Sequence, residues 1–216
     1  MPRPNWIDRL PKEARAALLT AMQPRIFQCG ALIYNRTEQP SGLYRIRSGS
    51  ALFQIDGANG KRLLLKIVRE NELFGETVAF DAKPAPIAVE ARTDLTTDFV
   101  STPHLATLRD RFVEIDRELA AVAAQNLRAT LTAIEELNLM SLRERTVARL
   151  CSLCAETDGS EKALIRLDLT QSELASMLGA SRPATNAVLS ELERFGIVRR
   201  GFRYIDCRPT LLFPAT

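Results

Sequence analysis

The chain is poor in the residues from which most active sites are built. It holds a single histidine, His104, in 216 residues. That removes most metal sites and leaves no partner set for Ser-His-Asp or Cys-His catalysis. Its four cysteines, Cys29, Cys151, Cys154 and Cys207, are too scattered for a disulfide framework. It has no run of ~18 apolar residues that could cross a membrane. The N-terminal "MPRPNWIDRLPKEARAALLTAM" lacks the apolar core and small-residue cleavage site of a signal peptide, so a cytoplasmic location is expected. No excess of one charge is present: 29 Lys and Arg oppose 26 Asp and Glu, so any nucleic-acid surface must be local. Nothing pairs a nucleophile with a base, and no phosphate-cradling Gly-rich loop appears, so an enzyme, a cofactor and a metal site are not expected.

What is present changes texture along the chain. Residues 5 to 22 space Trp6, Ile7, Leu10, Ala14, Leu18, Leu19 and Met22 by three and four, which predicts one short amphipathic helix. From Arg25 to Val100, short apolar or alternating runs ("RIFQCGALIY", "GLYRIRSGSALFQID", "KRLLLKIV", "AVEARTDLTTDFV") are parted by "NRTEQPSG", "DGANG" and "DAKPAP". Short strands between turn residues predict an antiparallel barrel or sandwich.

A further absence is informative. Between Pro103 and Gly159 there is neither glycine nor proline. Thr102 reads as a cap with Pro103 at the first helical position. Leu105, Leu108, Phe112, Ile115, Leu119 and Val122 follow at alternating three- and four-residue steps, and Asn126 keeps the register. This predicts one continuous helix of ~55 Å to about Leu139. A heptad stripe of that length suits two copies side by side, which makes Leu108, Phe112, Ile115, Leu119, Val122 and Asn126 the candidate dimer seam. Leu127, Leu131 and Ile134 form a second stripe, read as packing back on the β-region. Ser141 with Glu144 reads as hinge and cap. The domains expected are residues 1–102, a dimerisation helix over 103–140, and residues 141–216.

The stretch "LTQSELASMLGASRPATNAVLSELERFG" carries the strongest signal. Thr170 and Glu173 form a capping-box pair, Gly179 suits a turn, and Ser181 caps a second helix with Pro183 in its first turn. Two short helices about a glycine turn predict a helix-turn-helix, whose second helix enters the major groove of double-stranded DNA. "GIVRRGFRYIDCRP" then predicts a hairpin turning at Gly201. It sets Arg199, Arg200, Arg203 and Arg208 against one nearby acid, Asp206, as a wing that grips phosphates. Cys151 and Cys154 read as core positions on a helix, and Cys207 as a strand residue.

Taken together, these pieces resemble the Crp/Fnr family of bacterial transcription regulators. "LYRIRSG" and "LFGE" resemble its cyclic-nucleotide-binding β-roll, "SLRERTVARL" the start of its C-terminal domain, and "TQSELASMLGASRPATNAVLSELERFGIV" its recognition unit. The resemblance implies an α+β chain: an antiparallel, jelly-roll-like β-roll, a long dimerisation helix and a C-terminal winged helix-turn-helix. It implies a homodimer on a near-palindromic DNA site, with RNA polymerase as a further partner. The other reading is a ligand-sensing module whose C-terminal domain acts mainly by protein contact. Arg182 matches the family's guanine-reading arginine, and Ser181 the preceding serine. Pro183 and Ala187 stand where members read bases. With Thr170, Gln171, Thr185, Asn186, Arg199, Arg200 and Arg203 they complete the candidate DNA-binding set, with Thr185 and the Ala184 and Ala187 methyls set against thymine methyls. In the sensor domain, Gly75, Glu76, Thr77, Lys83, Pro86, Ile87, Thr130 and Leu131 form the candidate effector pocket. The family's Arg-Ser pair is replaced by Pro86-Ile87, which offers a buried phosphate neither charge nor side-chain donor. Cyclic AMP is therefore not the expected effector, whose identity stays open.

Overall fold

The computed structural model describes residues 5–39, 41–57, 60–81, 83–157 and 164–212. The chain divides into two compact units, one ending at Ala129 and one beginning at Thr130.

The first unit opens with two helices, α1 (Trp6–Arg9) and α2 (Lys12–Ala21). The single helix expected over 5–22 is broken because Pro11 forces Leu10 into an extended conformation and then caps α2. Eight strands follow: β1 (Gln23–Phe27), β2 (Leu32–Tyr34), β3 (Gly42–Ser48), β4 (Ala51–Asp56), β5 (Arg62–Val68), β6 (Leu73–Phe74), then β7 (Ala88–Ala91) and β8 (Leu95–Ser101) after the short helix α3 (Glu76–Asp81). They form two antiparallel four-stranded sheets, ordered β1-β8-β3-β6 and β2-β7-β4-β5. This is the expected β-roll. Its interior is aromatic: Tyr44 stacks on Phe74 at 4.8 Å, and Tyr34 and Phe99 pack beside them. Gly75 stands at φ +92°, where a Cβ would lie 2.4 Å from the Gly42 carbonyl oxygen, so only glycine lets α3 start this close to β3.

A second apolar cluster joins Trp6, Ile7 and Leu18 to Leu43, Val100, Leu105, Ile115 and Leu119. It accounts for a departure from the sequence reading. The long helix is two helices, α4 (Thr102–Arg111) and α5 (Val113–Leu139), parted at Phe112 with φ −129° and ψ 91°. No glycine or proline marks the break. Phe112 packs against the cluster, Arg111 lies over its ring, and Arg109 pairs with Asp116 across the turn at 2.5 Å. Tertiary burial here overrides local helix preference. Ser101 is the cap, Thr102 the first helical residue and Pro103 the second, one position from the expected start.

The second unit holds the end of α5, then α6 (Leu142–Glu156), β9 (Ile165–Leu167), α7 (Gln171–Met177), α8 (Arg182–Arg194), β10 (Val198–Gly201), β11 (Tyr204–Cys207) and α9 (Pro209–Leu212). Ser141 and Glu144 form a full capping box at α6. The expected hairpin is β10–β11, with its tip at Phe202 and Arg203. β11 also pairs with β9, a strand the sequence reading did not place. Leu150, Cys154, Leu174, Leu189, Leu192, Ile205 and Cys207 fill the core. No helix of the described residues is long and apolar enough to cross a membrane.

Candidate functional site

The helix-turn-helix is held by paired caps. Thr170 Oγ1 accepts from the Glu173 amide at 3.1 Å, and the Glu173 carboxylate accepts from the Thr170 amide at 2.7 Å. At the other end of α7, the Ala180 amide reaches back to the Ala175 carbonyl and the Gly179 amide to that of Ser176. This Schellman closure needs the left-handed Gly179, at φ +61°. Ser181 then caps α8 through the Ala184 amide at 3.3 Å.

Leu189 and Leu192 turn inward, and Arg182, Pro183, Ala184 and Ala187 are exposed. Thr170, Gln171 and Asn186 are half-buried. Thr185 is buried: its hydroxyl donates to the Ser181 carbonyl at 3.1 Å, so the expected contact with thymine methyls is corrected. Position 185 lies on the inner face of α8, and a threonine there satisfies its hydroxyl within its own helix.

The wing arginines have distinct partners. Arg200 is committed to Glu193, with 2.6 and 2.9 Å contacts from its guanidinium and a third from its amide, so it is a brace rather than a free phosphate ligand. Arg199 lies 3.6 Å from Asp206. Arg203 is exposed at the tip, at φ +62°. Asp206 is buried, and its main partner is Arg166 of β9, which grips it bidentately at 2.7 and 2.9 Å and lies 3.8 Å over the Tyr204 ring. These hydrogen bonds hold the Asp206 carboxyl below the usual aspartate range. Arg166 was absent from the sequence reading. The alternation Ile165-Arg166-Leu167 was its only signal.

In the first unit, Gly75 and Glu76 meet at the start of α3. Glu76 receives a hydrogen bond from the Asn126 side chain of α5, with Lys66 and Glu72 nearby. Burial is the largest influence and pushes the Glu76 carboxyl above the usual range, against the opposing pull of Lys66 and Asn126. Thr77, Lys83 and Pro86 are exposed, and Ile87 packs on the roll core. Thr130 and Leu131 are exposed and belong to the second unit.

The proposed dimer seam is corrected within this chain. Ile115 and Leu119 are 0% and 2% exposed, and Leu108, Phe112 and Val122 pack on the same cluster. The stripe expected to pack inward is the open one: Leu127, Leu131 and Ile134 are 62%, 57% and 52% exposed. Asn126 is exposed and bonded to Glu76 rather than set in a seam. Cys151, Cys154 and Cys207 are buried, and Cys29 is exposed. Among the described residues no group of His, Cys, Asp or Glu could hold a metal ion.

Comparison with known proteins bears on both units. The cyclic nucleotide-binding domain model matches residues 24–112, and the Crp-like helix-turn-helix domain model matches residues 144–210. The CRP-like cAMP-activated global transcriptional regulator of Mycobacterium tuberculosis is 30% identical over 86% of this chain and 84% of its own. The transcriptional regulator SdrP of Thermus thermophilus is 30% identical over 76% of this chain and 77% of its own. The crystal structure of a Crp/Fnr-family regulator from Thermus thermophilus aligns at TM-score 0.69 and 26% identity, covering 88% of this chain and 96% of that one.

Proposed function

Because this chain belongs to the Crp/Fnr family and is a DNA-binding transcription regulator, we propose that it works in the cytoplasm as a homodimer on a near-palindromic site. The observation that carries this reading is the exposed N-terminal half of α8, where Arg182 stands in the open with Pro183, Ala184 and Ala187. In it, Arg182 takes a guanine edge in the major groove. Ser181 serves as cap and phosphate neighbour, and Thr170 and Gln171 lie on the backbone at the start of α7. Arg199 and Arg203 supply affinity and salt dependence through phosphates. With Pro183 and Ala187 offering no hydrogen bonds to bases, sequence choice leans on Arg182, on Asn186 and on the shape of the duplex.

The dimer face is assigned to Leu127, Leu131 and Ile134, whose four- and three-residue spacing and exposure suit a helix pair. RNA polymerase is the protein partner when the regulator activates. The Mycobacterium tuberculosis relative is named for activation by cyclic AMP. For this chain we exclude that effector, because Pro86-Ile87 give a phosphate no counter-charge and Glu76 is already bonded to Asn126.

Fluorescence anisotropy tests the reading. Purified protein is titrated into duplex DNA from upstream of its own operon, and into a scrambled duplex, at two salt concentrations with and without cyclic AMP. Preference for the upstream duplex, a steep salt slope and no response to cyclic AMP are expected. Equal binding to both duplexes would remove the specific-regulator reading, and a large gain with cyclic AMP would remove the exclusion of that effector.

A further inference from the structure

Phe202 is 88% exposed, the most exposed large apolar side chain among the described residues. It stands at the tip of the β10–β11 hairpin. Single exposed apolar residues are ordinary on protein surfaces. What sets this one apart is the rigid, basic mount beneath it. The Tyr204 ring lies across Gly201, where a Cβ would fall 2.0 Å from the ring, so only glycine admits the crossing. Arg166 stacks on that ring at 3.8 Å and is locked bidentately to the buried Asp206. Next to Gly201 on β10, Arg200 is braced to Glu193 on α8. The hairpin is thus tied to the recognition helix and its stem is filled, leaving Phe202 outside the packing. Beside it Arg203 holds a left-handed conformation, uncommon for a side chain of that kind, with its charge at the same tip.

Resting on the DNA-binding reading above, we infer that Phe202 is an apolar wedge that enters the minor groove beside the major groove occupied by α8. Each wing strand has four residues, so the hairpin is ~13 Å long, enough to cross one phosphate ridge from the end of the recognition helix. The minor groove is ~6 Å wide, which admits a ring edge-on. Its negative potential suits Arg203, which directly follows the ring in sequence. Apolar side chains in that groove unstack a base step, and pyrimidine–purine steps yield most readily. The wedge supplies selectivity through deformability, where Pro183 and Ala187 supply no hydrogen bonds.

The test uses full-length protein and its upstream duplex carrying 2-aminopurine at successive steps flanking the α8 half-site. Wild type is expected to raise the fluorescence at one flanking step. Phe202→Ala should abolish that rise and weaken specific binding about tenfold with the salt slope unchanged. Phe202→Trp should keep both. Arg203→Ala should instead lower the salt slope by about 1. Because the ring packs on nothing, Phe202→Ala should melt at the wild-type temperature. Wild-type binding with an unaltered Phe202→Ala variant would overturn the wedge alone. Absence of site preference in the wild type would overturn the DNA-binding reading and the wedge with it. A Phe202→Ala variant that unstacks DNA normally but loses transcription in a reconstituted polymerase reaction would overturn the wedge and assign the ring to the polymerase.

Discussion

Leu127 apart, the first unit turns its distinctive groups inward, and the second, apart from the buried Asp206, turns them outward. In the first, Ile115 and Leu119 are covered by Trp6, Ile7 and Leu43, and Glu76 is held by Asn126. In the second, Arg182, Arg203, Phe202, Leu131 and Ile134 are all open. A group satisfied by its own chain acts mainly through stability, because any partner must first break what holds it. A group left open acts through what it meets. Substitutions of covered groups should therefore register in melting curves, and those of open groups in binding and assembly curves.

The sharpest way to break that contrast is on α5 itself, which carries both kinds of leucine. Leu119→Ala removes a fully packed side chain and should cost about 2–5 kcal/mol of folding stability, read by urea unfolding followed through the fluorescence of the chain's one tryptophan, Trp6. Leu131→Asp should leave the first unit's unfolding within ~0.5 kcal/mol of wild type while shifting sedimentation from dimer to monomer. If Leu119→Ala abolished dimerisation and left stability intact, the inward assignment would be wrong. Next in size is Arg182→Ala. Loss of a bidentate guanine contact is worth about 1–3 kcal/mol, or roughly five- to 150-fold in specific affinity, with preference relaxed at one base pair and folding unchanged.

The same contrast shows why the chain was legible in some places and not in others. The capping boxes at Thr170 and Ser141, the Gly179 turn and the β10–β11 hairpin all rest on local chemistry, and local chemistry is visible in a string of residues. Where two long-range outcomes are compatible with one pattern, the sequence does not decide between them. Both stripes of α5 are apolar at helical spacing, and periodicity cannot say what covers a face. The break at Phe112 has no glycine or proline to announce it, because its cause lies in Trp6 and Ile7, about a hundred residues earlier. Thr185 follows the exposed Ala184 directly, yet one position along a helix rotates a side chain by ~100°, which turns Thr185 inward. Arg166 escaped notice because its partner, Asp206, is distant in the chain and was matched instead to the arginines beside it.

Two carboxylates sharpen the contrast by responding to acid with opposite sign. Asp206 is held below its ordinary value of 3.8 by Arg166. Its stabilising contribution is complete above that value and is lost as the pH falls through the depressed folded value. Acid should thus loosen the second unit, seen as faster amide exchange at Ile205, and Asp206→Asn should remove this sensitivity along with about 1–3 kcal/mol of stability.

The smallest effect expected is at Glu76, and it runs the other way. Burial raises its folded value above the ordinary 4.5, so the folded first unit binds a proton more tightly than the unfolded chain does. Its charged form costs stability above the raised value, and that cost fades as the pH falls toward 4.5. Stability followed through Trp6 should therefore rise on mild acidification, over a window in which Asp206 is still fully ionised. Glu76→Gln keeps an acceptor for Asn126 without the charge. It should flatten that rise and stabilise the unit at neutral pH by less than ~1 kcal/mol. Asn126→Ala removes a group that favours the carboxylate, so it should steepen the same rise. A Glu76→Gln variant whose Trp6 curve keeps its full pH dependence would show that another group drives it, and the inward reading of Glu76 would lose its electrostatic support.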